Sequence, residues 1–143
     1  DIRTKGEYQL TDALETMRAE GETITTFTVE GWYDCGKPET LLATNRHLLD
    51  GGRAVYQLPG VVIVPPVFIA PTAKITDSVI GPYATIAAGV HVTDSIVRNS
   101  ILGEEARVQR ALLENSIVGS NAFVSGSFKR INIGDSSEIE FHS

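Results

Sequence analysis

Disulfides are the first thing this chain cannot have, because it contains one cysteine in 143 residues. No internal staple is available, and the reducing cytoplasm is the natural compartment for such a composition. Positive charge is sparse as well. Twelve Lys and Arg stand against 18 Asp and Glu, a net charge of −6, and no basic run occurs. A nucleic-acid partner is not expected, since phosphate binding needs clustered cations. Long apolar runs are also missing. The longest, VVIVPPVFIAP at 61–71, is far too short to span a membrane and is broken by two prolines. It has neither the position nor the flanks of a signal peptide. What is present, 42% hydrophobic and 21% charged residues, is the balance of a folded globular chain and not of a disordered one. The first residue is Asp1, not methionine, and the chain reads as a fragment.

From residue 63 onward the sequence repeats, which outranks every other local signal. Its aliphatic residues fall into three columns: Ile63, Ile80, Val97, Leu113, Phe128; then Ile69, Ile86, Leu102, Val118, Ile133; then Ile75, Val92, Val108, Val124, Ile139. Steps within the second and third columns are 17, 16, 16 and 15 residues, and each second-to-third step is six. Each member of the second column opens a hexapeptide: IAPTAK, IAAGVH, LGEEAR, VGSNAF and IGDSSE. An aliphatic residue points into a narrow prism, Ala or Gly beside it relieves crowding, and a small fifth residue lets the chain turn a tight corner. Three short strands per coil and about five coils predict a triangular parallel β-solenoid with coils stacked at about 4.8 Å.

Before residue 50 the period changes. Leu10, Ala13, Leu14 and Met17 share one helical face, with Thr11 or Asp12 placed to cap and Gly21 to stop the run. ITTFTV at 24–29 alternates Phe27 and Val29 as a strand would. Pro38 suits a first helical turn, and Leu41, Leu42, Leu48 and Leu49 mark a second helix that ends at Asp50-Gly51-Gly52. Helix, strand, loop and helix are too little to bury a core alone, so these residues are expected either to complete an α/β domain or to pack on the solenoid. The expected division is an α/β segment at 1–50, a linker at 51–62 and the solenoid at 63–143.

Two stretches carry a family resemblance. KGEYQLTDAL at 5–14 and GWYDCGKPETLLATN at 31–45 resemble the GE-x-x-[IL]-TD and W-x-D-x-G-[KT]-P-E blocks near the end of the catalytic domain in sugar-1-phosphate nucleotidyltransferases. The thymidylyltransferases and uridylyltransferases that act on glucose 1-phosphate are the nearest types. Longer members of that family continue into a hexapeptide β-helix, which the resemblance makes left-handed. The implied reaction joins a nucleoside triphosphate to a sugar 1-phosphate and releases pyrophosphate, with Mg²⁺ as cofactor. By the same resemblance Asp34 is a metal ligand at the end of a strand, Trp32 packs beneath it, and Gly36 lets phosphate approach the backbone. Glu7 is a candidate sugar contact and Lys37 a candidate phosphate contact. No residue of the chain is assigned as a catalytic acid, base or nucleophile, and Cys35 lacks a visible base. The simplest alternative for Asp34 is a cap on the following helix. The family's glycine-rich nucleotide signature, its Glu-Lys-Pro segment and its second metal-binding Asp have no match in the sequence. The chain alone is therefore expected to be inactive.

Two other functions fit a solenoid. Hexapeptide acyltransferases use a histidine base against acetyl-CoA, and His91, in the sixth place of IAAGVH, is the candidate within a coil; His47 falls on a helix and His142 next to the end. A purely structural module would serve only to assemble copies. Tyr83, Phe123 and Leu112 are candidate side-face contacts for a homo-oligomer, with a trimer expected. The helices and the 51–60 linker are expected to cover one end of the solenoid, and Glu138 and Glu140 to discourage stacking at the other.

Overall fold

A computed structural model describes residues 6–126 and 131–140. They form two compact units, one ending at Trp32 and the other starting at Tyr33.

The first unit holds helix α1 (Leu10–Ala19). Its amphipathic pattern is as expected, and Gly21 follows it at φ +89°, a left-handed value that glycine adopts without strain. Its start differs from expectation. Gln9 is the N-cap and no side chain caps the helix; Thr11 and Asp12 already lie inside the first turn, where a cap cannot act. Asp12 instead places negative charge near the positive end of the helix dipole. Residues 22–29 form no strand. A strand needs a neighbouring edge for its N–H and C=O groups, and none pairs with this segment among the described residues. Phe27 is 88% exposed.

The second unit opens with helix α2 (Pro38–Asp50), which has proline in its first turn and Gly51 at its C-cap. The solenoid follows. Its first coil has strands β1 (Val62–Ile63), β2 (Val67–Ile69) and β3 (Lys74–Thr76); its second has β4 (Val79–Ile80), β5 (Ala84–Ile86) and β6 (His91–Thr93). The third coil has β7 (Ile96–Arg98), β8 (Ser100–Leu102) and β9 (Arg107–Gln109). In the fourth are β10 (Leu112–Glu114), β11 (Ile117–Val118) and β12 (Phe123–Ser125), followed by β13 (Asn132–Ile133) and β14 (Glu138–Glu140). They stack into three parallel faces. Face 1 is β1-β4-β7-β10, face 2 is β2-β5-β8-β11-β13, and face 3 is β3-β6-β9-β12-β14.

The register is the one the columns require. Ile63, Ile80 and Val97 pair in sequence on face 1, and Val97 pairs with Leu113. On face 2, Ile69 pairs with Ile86, Ile86 with Leu102, Leu102 with Val118, and Val118 with Ile133. The third column pairs in the same way from Ile75 to Ile139. Phe128 lies outside the described residues. Ile80, Ile86, Val97, Leu102 and Leu113 are completely buried, each worth roughly 1.5–3 kcal/mol of transfer free energy.

Corners are built from three devices. The fifth-place N–H of Ala73, Val90, Ala106 and Ala122 donates to the second-place carbonyl of Ala70, Ala87, Gly103 and Gly119, which closes a turn around a small side chain. Left-handed residues reverse the chain, among them Asp94 at φ +48°, Asn99 at +43° and Asn115 at +53°, residue types that tolerate this region. Buried serines then satisfy donors of the neighbouring coil. Ser78 Oγ accepts the N–H of Ser95, and Ser95 Oγ that of Ala111; Ser100 Oγ accepts from Ser116, and Ser116 Oγ from Ile131. Coil spacing also dictates the glycine at 119, where a Cβ would lie 2.5 Å from the carbonyl carbon of Gly134.

Candidate functional site

Helix α2 presents two useful stripes. Leu42, Asn45 and Leu49, spaced by three and four residues, share one side of the helix, and both leucines are buried. On this side Asn45 Oδ1 accepts the Thr85 hydroxyl of β5 at 2.6 Å. Asp50 Oδ1 accepts the Tyr83 hydroxyl at 2.8 Å, and the Arg46 guanidinium lies 4.0 Å from the Tyr83 ring centroid. The helix is thus held to face 2 of the solenoid, on its side and not over its end as expected. Tyr83 serves this attachment, so it is not a free side-face contact. The hydrogen bond to Asp50 pushes the Tyr83 phenol above its usual pKa, with burial and the Asp50 charge adding to that and Arg46 opposing it.

The second stripe is Thr40, Thr44 and His47, again one face, and it holds the loop at 33–37. Tyr33 and His47 share a hydrogen bond of 2.7 Å between the phenol oxygen and Nε2, with ring centroids 4.9 Å apart. Cys35 Sγ lies 3.6 Å from the Thr44 hydroxyl. The Lys37 N–H donates to Thr40 Oγ1 at 3.3 Å. This ladder was not anticipated from the sequence. Its signal was present as polar residues at i, i+4 and i+7 opposite the leucines, in a helix otherwise read only for its apolar face.

Asp34 sits on this loop, exposed. Its Oδ1 accepts the Gly36 N–H at 2.9 Å, a local turn of the kind Asp favours. The residue does not cap α2, whose N-cap is Lys37. Nor does a strand deliver it, since 31–35 carry no regular structure. Trp32, expected to pack beneath it, is 86% exposed and belongs to the first unit. Gly36 is exposed, and its N–H is engaged by Asp34. Lys37 is exposed, and Glu7 is exposed in the first unit. No group of three or more His, Cys, Asp or Glu side chains could hold a metal among the described residues. A single outward carboxylate suits an ion that keeps its waters and arrives with phosphates, and not a resident metal caged by protein.

Other candidates separate from this loop. His91 is exposed on face 3, in register with Lys74 and Arg107 on the strands either side. A cavity of about 340 Å³ between α2, residues 52–56 and face 2 is lined by Leu48, Tyr56, Val67 and Phe68. At its wall the buried Asn45 Nδ2 has no partner, a deficit of roughly 1–3 kcal/mol.

The second unit therefore defines a class, a parallel β-solenoid carrying a side helix and a tethered loop that bears Asp34. Comparison with known proteins is more particular. The chain is similar to two curated glucose-1-phosphate thymidylyltransferases. That of Streptomyces antibioticus is 28% identical over 97% of this chain and 47% of the relative. That of Streptomyces griseus is 25% identical over the same shares. A shorter match, 40% identical over 32% of this chain and 13% of the relative, is to the low-salt glycan biosynthesis nucleotidyltransferase Agl11 of Haloferax volcanii. The chain spans about half the length of the two thymidylyltransferases it matches. No family model matches it.

Proposed function

We propose that this chain is the carboxyl-terminal part of a sugar-1-phosphate nucleotidyltransferase of the cytoplasm, acting on glucose 1-phosphate with dTTP or UTP. The reading rests on one observation above all: similarity to thymidylyltransferases runs through both the loop bearing Asp34 and the solenoid, over 97% of the chain. In the reaction a sugar-phosphate oxygen attacks the α-phosphorus in line, the bond to the β-phosphate oxygen breaks, and pyrophosphate leaves. Catalysis of this kind is mainly alignment and charge stabilisation. Asp34 would supply one carboxylate to Mg²⁺, and the ion when bound offsets negative charge on the phosphates. Lys37 would add a positive charge beside them, and Glu7 would hold sugar hydroxyls. Helix α1 and residues 22–29 would complete an α/β sheet whose other strands come from the rest of the enzyme. The solenoid is assigned the left-handed coil of the family, with a role in assembly or regulation.

The test is made on the full-length enzyme. Asp34→Asn should lower the rate by roughly a hundredfold or more, the scale seen when charge stabilisation is lost. A near-normal rate with unchanged Mg²⁺ dependence would leave Asp34 as a turn residue only. The chain by itself should show no nucleotide-sugar synthesis from glucose 1-phosphate with either triphosphate, and turnover by it alone would contradict the reading.

A further inference from the structure

Both neighbours of Asp34 in the chain direct their side chains to helix α2. The Tyr33 phenol shares a hydrogen bond with His47 Nε2, and Cys35 Sγ reaches the Thr44 hydroxyl. Donors and acceptors run in a consistent order. Thr44 Oγ1 donates to the Thr40 carbonyl at 2.9 Å, which leaves its lone pairs free to accept the Cys35 thiol proton. Thr40 Oγ1 donates to the Lys37 carbonyl at 2.9 Å and accepts the Lys37 N–H. The loop is thus pinned at alternate residues, 33, 35 and 37, while its partners descend the helix as 47, 44 and 40. Two residues of extended chain advance about 6.6 Å, and three or four helical residues rise about 4.5–6 Å. The spacings match closely enough for all three tethers to form together.

Asp34 and Gly36 fall between the pins. Asp34 Oδ1 folds back onto the Gly36 N–H, and a Cβ at position 36 would lie 3.1 Å from that oxygen, so the turn favours a residue without a side chain. Oδ2 takes no part in the turn. On its other side α2 is fixed to the solenoid, where Asn45 accepts the Thr85 hydroxyl and Asp50 that of Tyr83. The tethers are therefore carried on a helix held against rolling.

We propose that Tyr33 and His47 are positioning residues for Asp34, and that their hydrogen bond, aided by the Cys35–Thr44 contact, holds its carboxylate in place for Mg²⁺. The inference rests on the reading of Asp34 as a metal ligand. Each tether is exposed and competes with water, so one alone orders the loop weakly. Acting together they fix both neighbours of Asp34, and with them the backbone on which the carboxylate stands. Groups that orient a metal ligand in this way tune the site without touching the ion. A packing role does not account for the pair, because Tyr33 and His47 are both exposed and loss of the phenol oxygen leaves no cavity.

Kinetics and hydrogen exchange of the full-length enzyme test it. Tyr33→Phe should lower kcat by about tenfold, the scale seen when a group that orients a metal ligand is lost, and should raise the Mg²⁺ concentration needed for half-maximal rate. KM for glucose 1-phosphate and the melting temperature should not move. His47→Ala should match Tyr33→Phe, the double variant should be no worse than either alone, and His47→Gln, which keeps an acceptor for the phenol, should recover most of the loss. The second readout needs no turnover. The amides of Gly36 and Lys37, both hydrogen-bonded within the tethered loop, should exchange several-fold faster in Tyr33→Phe than in wild type. Unchanged exchange, or an unchanged rate in Tyr33→Phe while Asp34→Asn is impaired, would overturn the positioning role and leave the metal-ligand reading standing. A near-normal Asp34→Asn would overturn both.

Discussion

Residues 6–32 and residues 62–140 both space their apolar side chains regularly, yet only the second segment buries them. In the first, Leu10, Leu14, Met17, Ile24, Phe27 and Val29 are all exposed, and α1 has no buried residue. In the second, the column residues from Ile80 to Val124 are almost wholly buried. Periodicity tells a chain which side wants cover but does not supply the cover. A solenoid escapes that limit because the next coil repeats the same pattern and becomes the partner. Helix α1 and the segment after it have no such neighbour among the described residues.

The sharpest way to break this contrast is to cut matched side chains from the two segments. Leu102→Ala, in the centre of the face 2 column, should lower the free energy of unfolding by about 2–5 kcal/mol. Phe27→Ala should change it by no more than about 0.5 kcal/mol. Urea titrations followed by circular dichroism measure both, and equal effects would erase the distinction. A smaller loss, roughly 1–3 kcal/mol, is expected for Ser95→Ala, which leaves the buried Ala111 N–H without its acceptor. A neutral result there would mean that water or a relaxed backbone replaces the serine. The smallest effect concerns the attachment of α2. The folded pKa of Tyr83 is raised, so its contribution is fully present below the ordinary phenol value of about 10 and is lost as pH rises through the folded value. Melting temperatures compared at about pH 8 and about pH 10.5 should fall further for wild type than for Tyr83→Phe. Identical falls would show that the hydrogen bond to Asp50 does not help to hold the helix.

Much of the solenoid could be read directly, since the phase of Ile69, Ile86, Leu102, Val118 and Ile133 is also their hydrogen-bonding register. Helix α2 was readable for the same reason, through its leucines and Pro38. The segment at 24–29 was misread because alternation reports strand propensity, while a strand exists only through a neighbour on its edge. The cap assigned to Thr11 or Asp12 failed by two or three residues, a boundary error that residue type alone does not prevent. At the candidate site, the motif drew attention to Asp34 but not to what steadies its loop. Thr44 and His47 are ordinary helix residues in sequence, and their part depends on where the preceding loop folds back. Asn45, Asp50 and Tyr83 were invisible as a group because 33 residues separate Asp50 from Tyr83.

The serines that link one coil to the next bear on how such a chain can change in length. Ser100 stands to Ser116 as Ser95 stands to Ala111, each hydroxyl taking an N–H sixteen residues on. The links run from coil to coil wherever the column carries a serine, and Ala84 and Ala111 bound them. Genetic change in this region has a natural step size. Removal or duplication of one whole coil preserves the three columns, whereas loss of one or two residues inside a strand moves every later side chain out of its column. Coil number is therefore freer to change than the length of a coil, and interior gaps in alignments of relatives should fall in units of fifteen to seventeen residues.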